Sequence, residues 1–206
     1  MQVKNYPPGS VLALLETDMV TPQTRAALIE RLEEKTTSTP RFFDDNAFDT
    51  LRAACARLLP QPERAALQSI DLAGAIDERL AKGEGDGWRY DGMPPDGEAF
   101  RRGLRGLDES ARDICGRSFR ELDETAQDVI LLAVQGGKVL GEAWQTVSPT
   151  RFFEELLAGA TESYYSHPLA QEEIGYVGMA DAHGWQLIGL DQLEIWEPRA
   201  LEDKGA

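Results

Sequence analysis

Histidine is nearly absent from this chain of 206 residues: there are two, His167 and His183. That scarcity leaves little material for a nucleophile–base pair or a histidine-rich metal cluster. No Gly-x-Ser-x-Gly elbow occurs. Cysteine is as scarce, with Cys55 and Cys115 far apart on separate expected helices. They read as two buried free thiols; one long-range disulfide stays open only for an oxidising compartment. No apolar run approaches the roughly 20 residues of a spanning helix. The first residues carry neither a charged-then-apolar leader nor a twin arginine, so the expectation is an unexported, cytoplasmic chain, or a periplasmic one if a signal-bearing partner exports it. Cations are outnumbered: 21 Lys and Arg face 36 Asp and Glu, a formal net charge of -15. Without Lys/Arg clusters, a nucleic-acid partner and an anionic membrane surface are excluded as expectations. The acidity reads as a solvated surface; steering toward a basic partner is the sharper alternative.

What is present is globular. Hydrophobic residues make up 42% and charged residues 28%. Residues 10–19 and 22–35 read as a helical hairpin, with Ser10 capping the first helix and Thr21-Pro22 opening the second. Lys35 to Pro40 is rich in hydroxyls and reads as a linker. A helix then starts near Asp44 or Asp45 with Phe48, Leu51, Ala54 and Cys55 on one face. Asp71 starts the next, and Gly83 lies past its end. Residues 83–97 form a glycine- and proline-rich loop holding Trp88 and Tyr90. Helices are expected at 97–107, 109–115 and 124–135, the last with Val129, Ile130, Leu132, Ala133 and Val134 inside. Ser148-Pro149 opens a final long helix. No strand alternation precedes residue 174.

The last quarter changes character. Tyr164-Tyr165-Ser166-His167-Pro168, then Ile174-Gly175-Tyr176-Val177-Gly178, then Gly184-Trp185-Gln186-Leu187-Ile188-Gly189 alternate aromatics with glycines and keep no helical period. Tyr176-Val177 and Gln186-Leu187-Ile188 read as short extended pieces. Glycine permits close backbone approach, and Tyr and Trp dominate protein contacts. The candidate partner-binding residues are Tyr164, Tyr165, His167, Pro168, Tyr176, Gly178, Trp185 and Gly189, with Trp88. The competing reading is that these aromatics only cover the helical core of their own chain.

Catalytic constellations fare worse. His167 precedes proline and is expected at a helix end, favourably placed in the helix dipole. A zinc site from His167, His183, Asp181 and a glutamate matches no short motif. Glu154-Glu155 and Glu172-Glu173 read most simply as solvated. Gly83-x-Gly85-x-Gly87 follows a helix instead of a strand and carries acids where phosphate would sit.

Several segments in order carry a resemblance. Phe42-Phe43-Asp44 leads into an apolar helix ending Leu58-Leu59-Pro60. Ile70-Asp71 with Ile76-Asp77, Phe100-Arg101-Arg102-Gly103-Leu104 and Phe119-x-x-Leu122-Asp123 with Gln127 follow. Phe152-Phe153-Glu154-Glu155-Leu156, Tyr164-Tyr165-Ser166-His167-Pro168 and Gly184-Trp185-Gln186-Leu187-Ile188-Gly189 complete the series. Over about residues 41–190 this resembles the gluconate 2-dehydrogenase subunit 3 family. The resemblance implies a non-catalytic small subunit that binds, matures and stabilises a large FAD-dependent sugar or alcohol dehydrogenase of the glucose–methanol–choline oxidoreductase type. It places the FAD in that partner, no cofactor in this chain, and a cytochrome or other electron acceptor as a further contact through the complex. Many members of the family begin with a twin-arginine signal, and this chain does not.

The expectation is therefore an all-α protein: a hairpin and linker over 1–40, and a helical domain over 41–206 ending in an irregular docking segment. Two other classes stay open: a free-standing small enzyme using His167 or His183, and a self-associating structural protein.

Overall fold

A computed structural model describes residues 6–62, 64, 69–85 and 92–201. Among these residues there are eight α-helices and no strand. They are α1 (Ser10–Leu15), α2 (Pro22–Glu33), α3 (Asp45–Leu58), α4 (Leu72–Ala81), α5 (Asp96–Cys115), α6 (Glu124–Gln135), α7 (Pro149–Tyr165) and α8 (Pro168–Glu173). Single 3-10 turns cover Phe119–Glu121 and Ala143–Gln145. The all-α expectation holds. The chain divides into two compact units, one of Thr36–Tyr164 and one of Met1–Lys35 with Tyr165–Ala206.

In the unit of Thr36–Tyr164, carboxylates start three helices. Asp44 accepts from the Ala47 N–H at 2.8 Å, Asp71 from Gly74 at 3.1 Å and Asp123 from Ala126 at 2.9 Å. Each satisfies an amide that has no partner inside its helix. Helix α5 contacts both α3 and α6, and α7 lays Phe152 over Gly103 of α5. A Cβ at Gly103 would overlap the Phe152 ring, and one at Gly106 would overlap Trp144, whose indole N–H donates to Ser110 Oγ at 3.0 Å. Phe100, Phe119 and Phe152 are fully buried, each worth about 1.5–3 kcal/mol in transfer from water. The hydroxyl-rich stretch read as a linker is tied down: Thr37 N–H donates to Asp71 at 2.6 Å. Just beyond it, the buried Asp77 carboxylate accepts from Arg41, Phe42 and Phe43 at 2.7, 3.0 and 3.0 Å. Across α3 and α6, Arg57 holds Asp128 through two bonds of 2.8 and 2.9 Å. The Arg57 hydrogen bond depresses the Asp128 carboxyl below its ordinary range.

The unit of Met1–Lys35 and Tyr165–Ala206 has its own core. Val11, Leu14, Leu15, Val20 and Leu28 pack with Val177, Met179 and Ala180, and Trp196 rests against them. Both α1 and α2 contact α8.

Several expectations are corrected. The first helix ends at Leu15, not near residue 19, and Ser10 is its first helical residue instead of its cap; Gly9 holds the cap position. The segments 97–107 and 109–115 are one continuous helix. Asp108 does not start a second helix because its carboxylate is engaged elsewhere, accepting from Phe119 N–H at 2.9 Å. Val129 and Leu132 point outward, Leu132 being 64% exposed; Gln127, Ile130, Leu131 and Val134 form the buried side of α6. Cys115 is exposed while Cys55 is buried, and no disulfide joins them. The expected extended pieces at 176–177 and 186–188 are irregular backbone.

Candidate functional site

The tail is built outward from α8. His167 is its N-cap: ring Nδ1 accepts from Leu169 N–H at 3.2 Å, so Nε2 carries the proton and donates to Arg31 O at 2.9 Å. The ring therefore sits at the start of α8, capping it and tying it to α2. Arg31 returns a bond to Ser166 O at 2.8 Å. Glu172, expected to be solvated, accepts instead from the Gly9 and Val11 N–H groups at the start of α1. Asp181 does the same at α2, accepting from Thr21 N–H at 2.8 Å and from the Thr24 and Thr21 hydroxyls at 2.6 and 2.9 Å. The Thr21 N–H and then the Thr24 hydroxyl hold its carboxyl below the ordinary range. Between these anchors Val177, Met179 and Ala180 are buried, and the Tyr176 hydroxyl lies over Gly178 where any side chain would collide.

Beyond Asp181 the chain leaves the core and returns to it. Trp185 and Trp196 close the excursion with ring centroids 5.9 Å apart. Glu194, almost wholly buried, turns its carboxylate back to accept from the N–H groups of Gln186 and Leu187, the latter at 2.6 Å. Gln192 Oε1 accepts from Gly189 N–H at 3.1 Å, and Gln192 N–H donates to Gly189 O at 3.1 Å. Asp191 sits at φ 58 in the turn. A compact loop with touching ends, packed by its own side chains, is an Ω-loop, a form that frequently carries function. Its crest is apolar: Ile188 is 86%, Leu190 93% and Ile195 95% exposed, with Leu187 and Leu193 also outward.

The expected docking residues separate by this geometry. Tyr164, His167 and Pro168 are buried. Tyr165, Tyr176, Gly178 and Gly189 are exposed, and Trp185 is 40% exposed at the base of the loop. Trp88 lies outside the described residues. Motif and residue type do not single out Leu190, Leu193, Ile195 or the organiser Glu194. The signal that could have found them is the density of large apolar residues from Leu187 to Trp196, six in ten positions, in a stretch with no helix start or stop.

His183 stands apart from His167, with Nε2 3.6 Å from Asp18 Oδ2. Among the described residues no three His, Cys, Asp or Glu side chains converge as a metal site. Among them, too, no helix is long and apolar enough to cross a membrane.

Fold and site together define an all-helical protein that presents an apolar loop closed by Trp185 against Trp196. The model of the gluconate 2-dehydrogenase subunit 3 family matches residues 45–190, and the chain belongs to that family, whose members are small subunits of a dehydrogenase complex. Among curated proteins and solved structures there is no match.

Proposed function

We propose that this chain is a non-catalytic accessory subunit that binds, matures and stabilises a large FAD-dependent dehydrogenase subunit acting on a sugar or related alcohol. Family membership supplies the complex. The observation that carries the binding role is the Ω-loop, whose large apolar side chains stand in water although the partly buried bonds to Glu194 tie its backbone together. An isolated soluble protein gains nothing from holding such a crest rigid, whereas a subunit interface gains both apolar area and pre-organisation.

In this reading the flavin and the hydride chemistry lie in the partner. This chain contributes shape, contact area and stability by mass action, since whatever binds the folded partner stabilises it. The test is co-expression of the chain with the FAD-bearing subunit from its own cells. The expected result is more soluble, flavin-loaded dehydrogenase in the presence of the chain, with activity unchanged by His167→Ala or His183→Ala apart from effects on assembly. Equal yield, flavin content and heat resistance without the chain would end the reading.

A further inference from the structure

We infer that the crest of the Ω-loop, Leu187, Ile188, Leu190, Leu193 and Ile195, is the element that docks into the FAD-bearing subunit, and that it seats in an apolar groove whose rim carries cations; this rests on the accessory-subunit reading above.

The choice of occupant comes from charge. Between Arg151 and Arg199 the sequence holds no lysine or arginine. From Asp181 to Glu197 it holds four carboxylates: Asp181, Glu194 and Glu197 accept from groups of their own unit, and Asp191 stands exposed beside the crest. An anionic lipid surface attracts cation-bearing segments, so an apolar loop with acids and no lysine or arginine is repelled from it. A second copy of this chain would bring the same acids against the same acids, on molecules that each carry a formal charge of -15. A groove with apolar walls and Lys or Arg at its edge matches both features. The family match runs to residue 190 and so takes in the first half of the crest, and the family is one of dehydrogenase subunits.

The loop is built to dock with little loss of freedom. Its ends are closed by Trp185 on Trp196. Glu194 satisfies two consecutive amides from below, and its own N–H donates to Glu197 Oε2 at 2.6 Å. Ile188, Leu190 and Ile195 stand almost wholly in solvent and make no part of the core, so replacing them is expected to leave the fold unchanged. Glu194 is a positioning residue: it sets the shape of the crest without belonging to it.

The experiment uses full-length chain and the FAD-bearing subunit recovered with it from its source cells, identified by its flavin spectrum and sugar-dependent dye reduction. Leu190→Asp and Ile195→Asp are expected to weaken the pair by roughly 30- to 100-fold each, as loss of a central apolar anchor does. Val129→Asp and Leu132→Asp, on the outward face of α6, are expected to change it by less than about threefold. A photo-crosslinking residue at Leu190 should label the flavoprotein, and one at Leu132 should not. Asp191→Asn should weaken the salt dependence of association. If the wild-type pair forms and both loop variants bind within about threefold of it, the loop is not the docking element, while the accessory reading survives. Labelling from Leu132 alone would exclude the loop in the same way. If the wild-type chain forms no pair at all, the accessory reading itself falls, and this inference with it. Loop-dependent binding to anionic vesicles, or a loop-dependent homodimer, would also overturn it.

Discussion

Glu172 caps a helix near the other end of the sequence: its Oε1 accepts from Gly9 N–H, 163 residues before it, at 2.7 Å, and its Oε2 from Val11 N–H at 3.1 Å. Helix α1 has only 6 residues, too few to hold itself together, and no side chain at its own N-cap bonds to it. The tail supplies what the helix lacks. Glu172→Ala should cost about 1 kcal/mol of stability, the usual value of a lost cap, and Glu172→Gln less because an acceptor oxygen remains. Hydrogen exchange at Leu14 and Leu15 is the direct readout. Unchanged protection there would mean that the cap contributes nothing.

Asp181 gives the second bond of this kind, and its pH dependence has a definite sign. Its folded pKa lies below the unfolded value because the Thr21 N–H and the Thr24 hydroxyl stabilise the charged form. The stabilisation is fully present above the ordinary carboxylate range and is lost as pH falls through the depressed folded value. Asp181→Asn should therefore melt below wild type at neutral pH, and the two curves should converge in acid. A constant offset at all pH values would contradict the assignment.

Gly103→Ala tests the packing of α7 on α5. Alanine gains about 1 kcal/mol of helix propensity over glycine. Against this, the new Cβ meets the ring of Phe152, which is fully buried and has nowhere to move. Overpacking of this kind costs about 1–3 kcal/mol, so the clash wins and thermal unfolding should occur at lower temperature. A rise in melting temperature would show that the ring can shift.

The two thiols should separate by reactivity. Burial pushes the Cys55 thiol up to about 12, so it stays protonated and inert at neutral pH. Cys115 is exposed at the end of α5. A disulfide-exchange reagent should therefore titrate one thiol in the native protein and the second only on unfolding. Rapid native reaction of both would contradict the packing around Cys55.

Local chemistry is legible in the sequence, and long-range pairing is not. Asp44, Asp71 and Asp123 start helices as their spacing suggests, because a cap depends on residues three positions away. The apolar face of α3 follows from period alone. The same rule misplaces Val129 and Leu132, since α6 carries apolar residues on both sides and period cannot say which side meets the core. Glu172 reads as a solvated acid and Asp181 only as a member of a rejected zinc set, because their partners lie about 160 residues away. The aromatic–glycine tail is distinct from the rest of the chain in sequence and in backbone alike. Its aromatics, though, divide between the core and the surface, and its most exposed groups are the aliphatic Ile188, Leu190 and Ile195, of which only Ile188 lies within a quoted motif.

If this chain is one part of a flavoprotein dehydrogenase, the two must travel together. Gel filtration of the native complex from its source cells, followed simultaneously by flavin absorbance, sugar-dependent dye reduction and the mass of this chain, measures that most directly. The predicted result is one peak in which all three coincide, with the flavoprotein losing heat resistance once this chain is stripped away. Elution of the chain alone, beside a dehydrogenase that is fully active and equally stable without it, would contradict the accessory role.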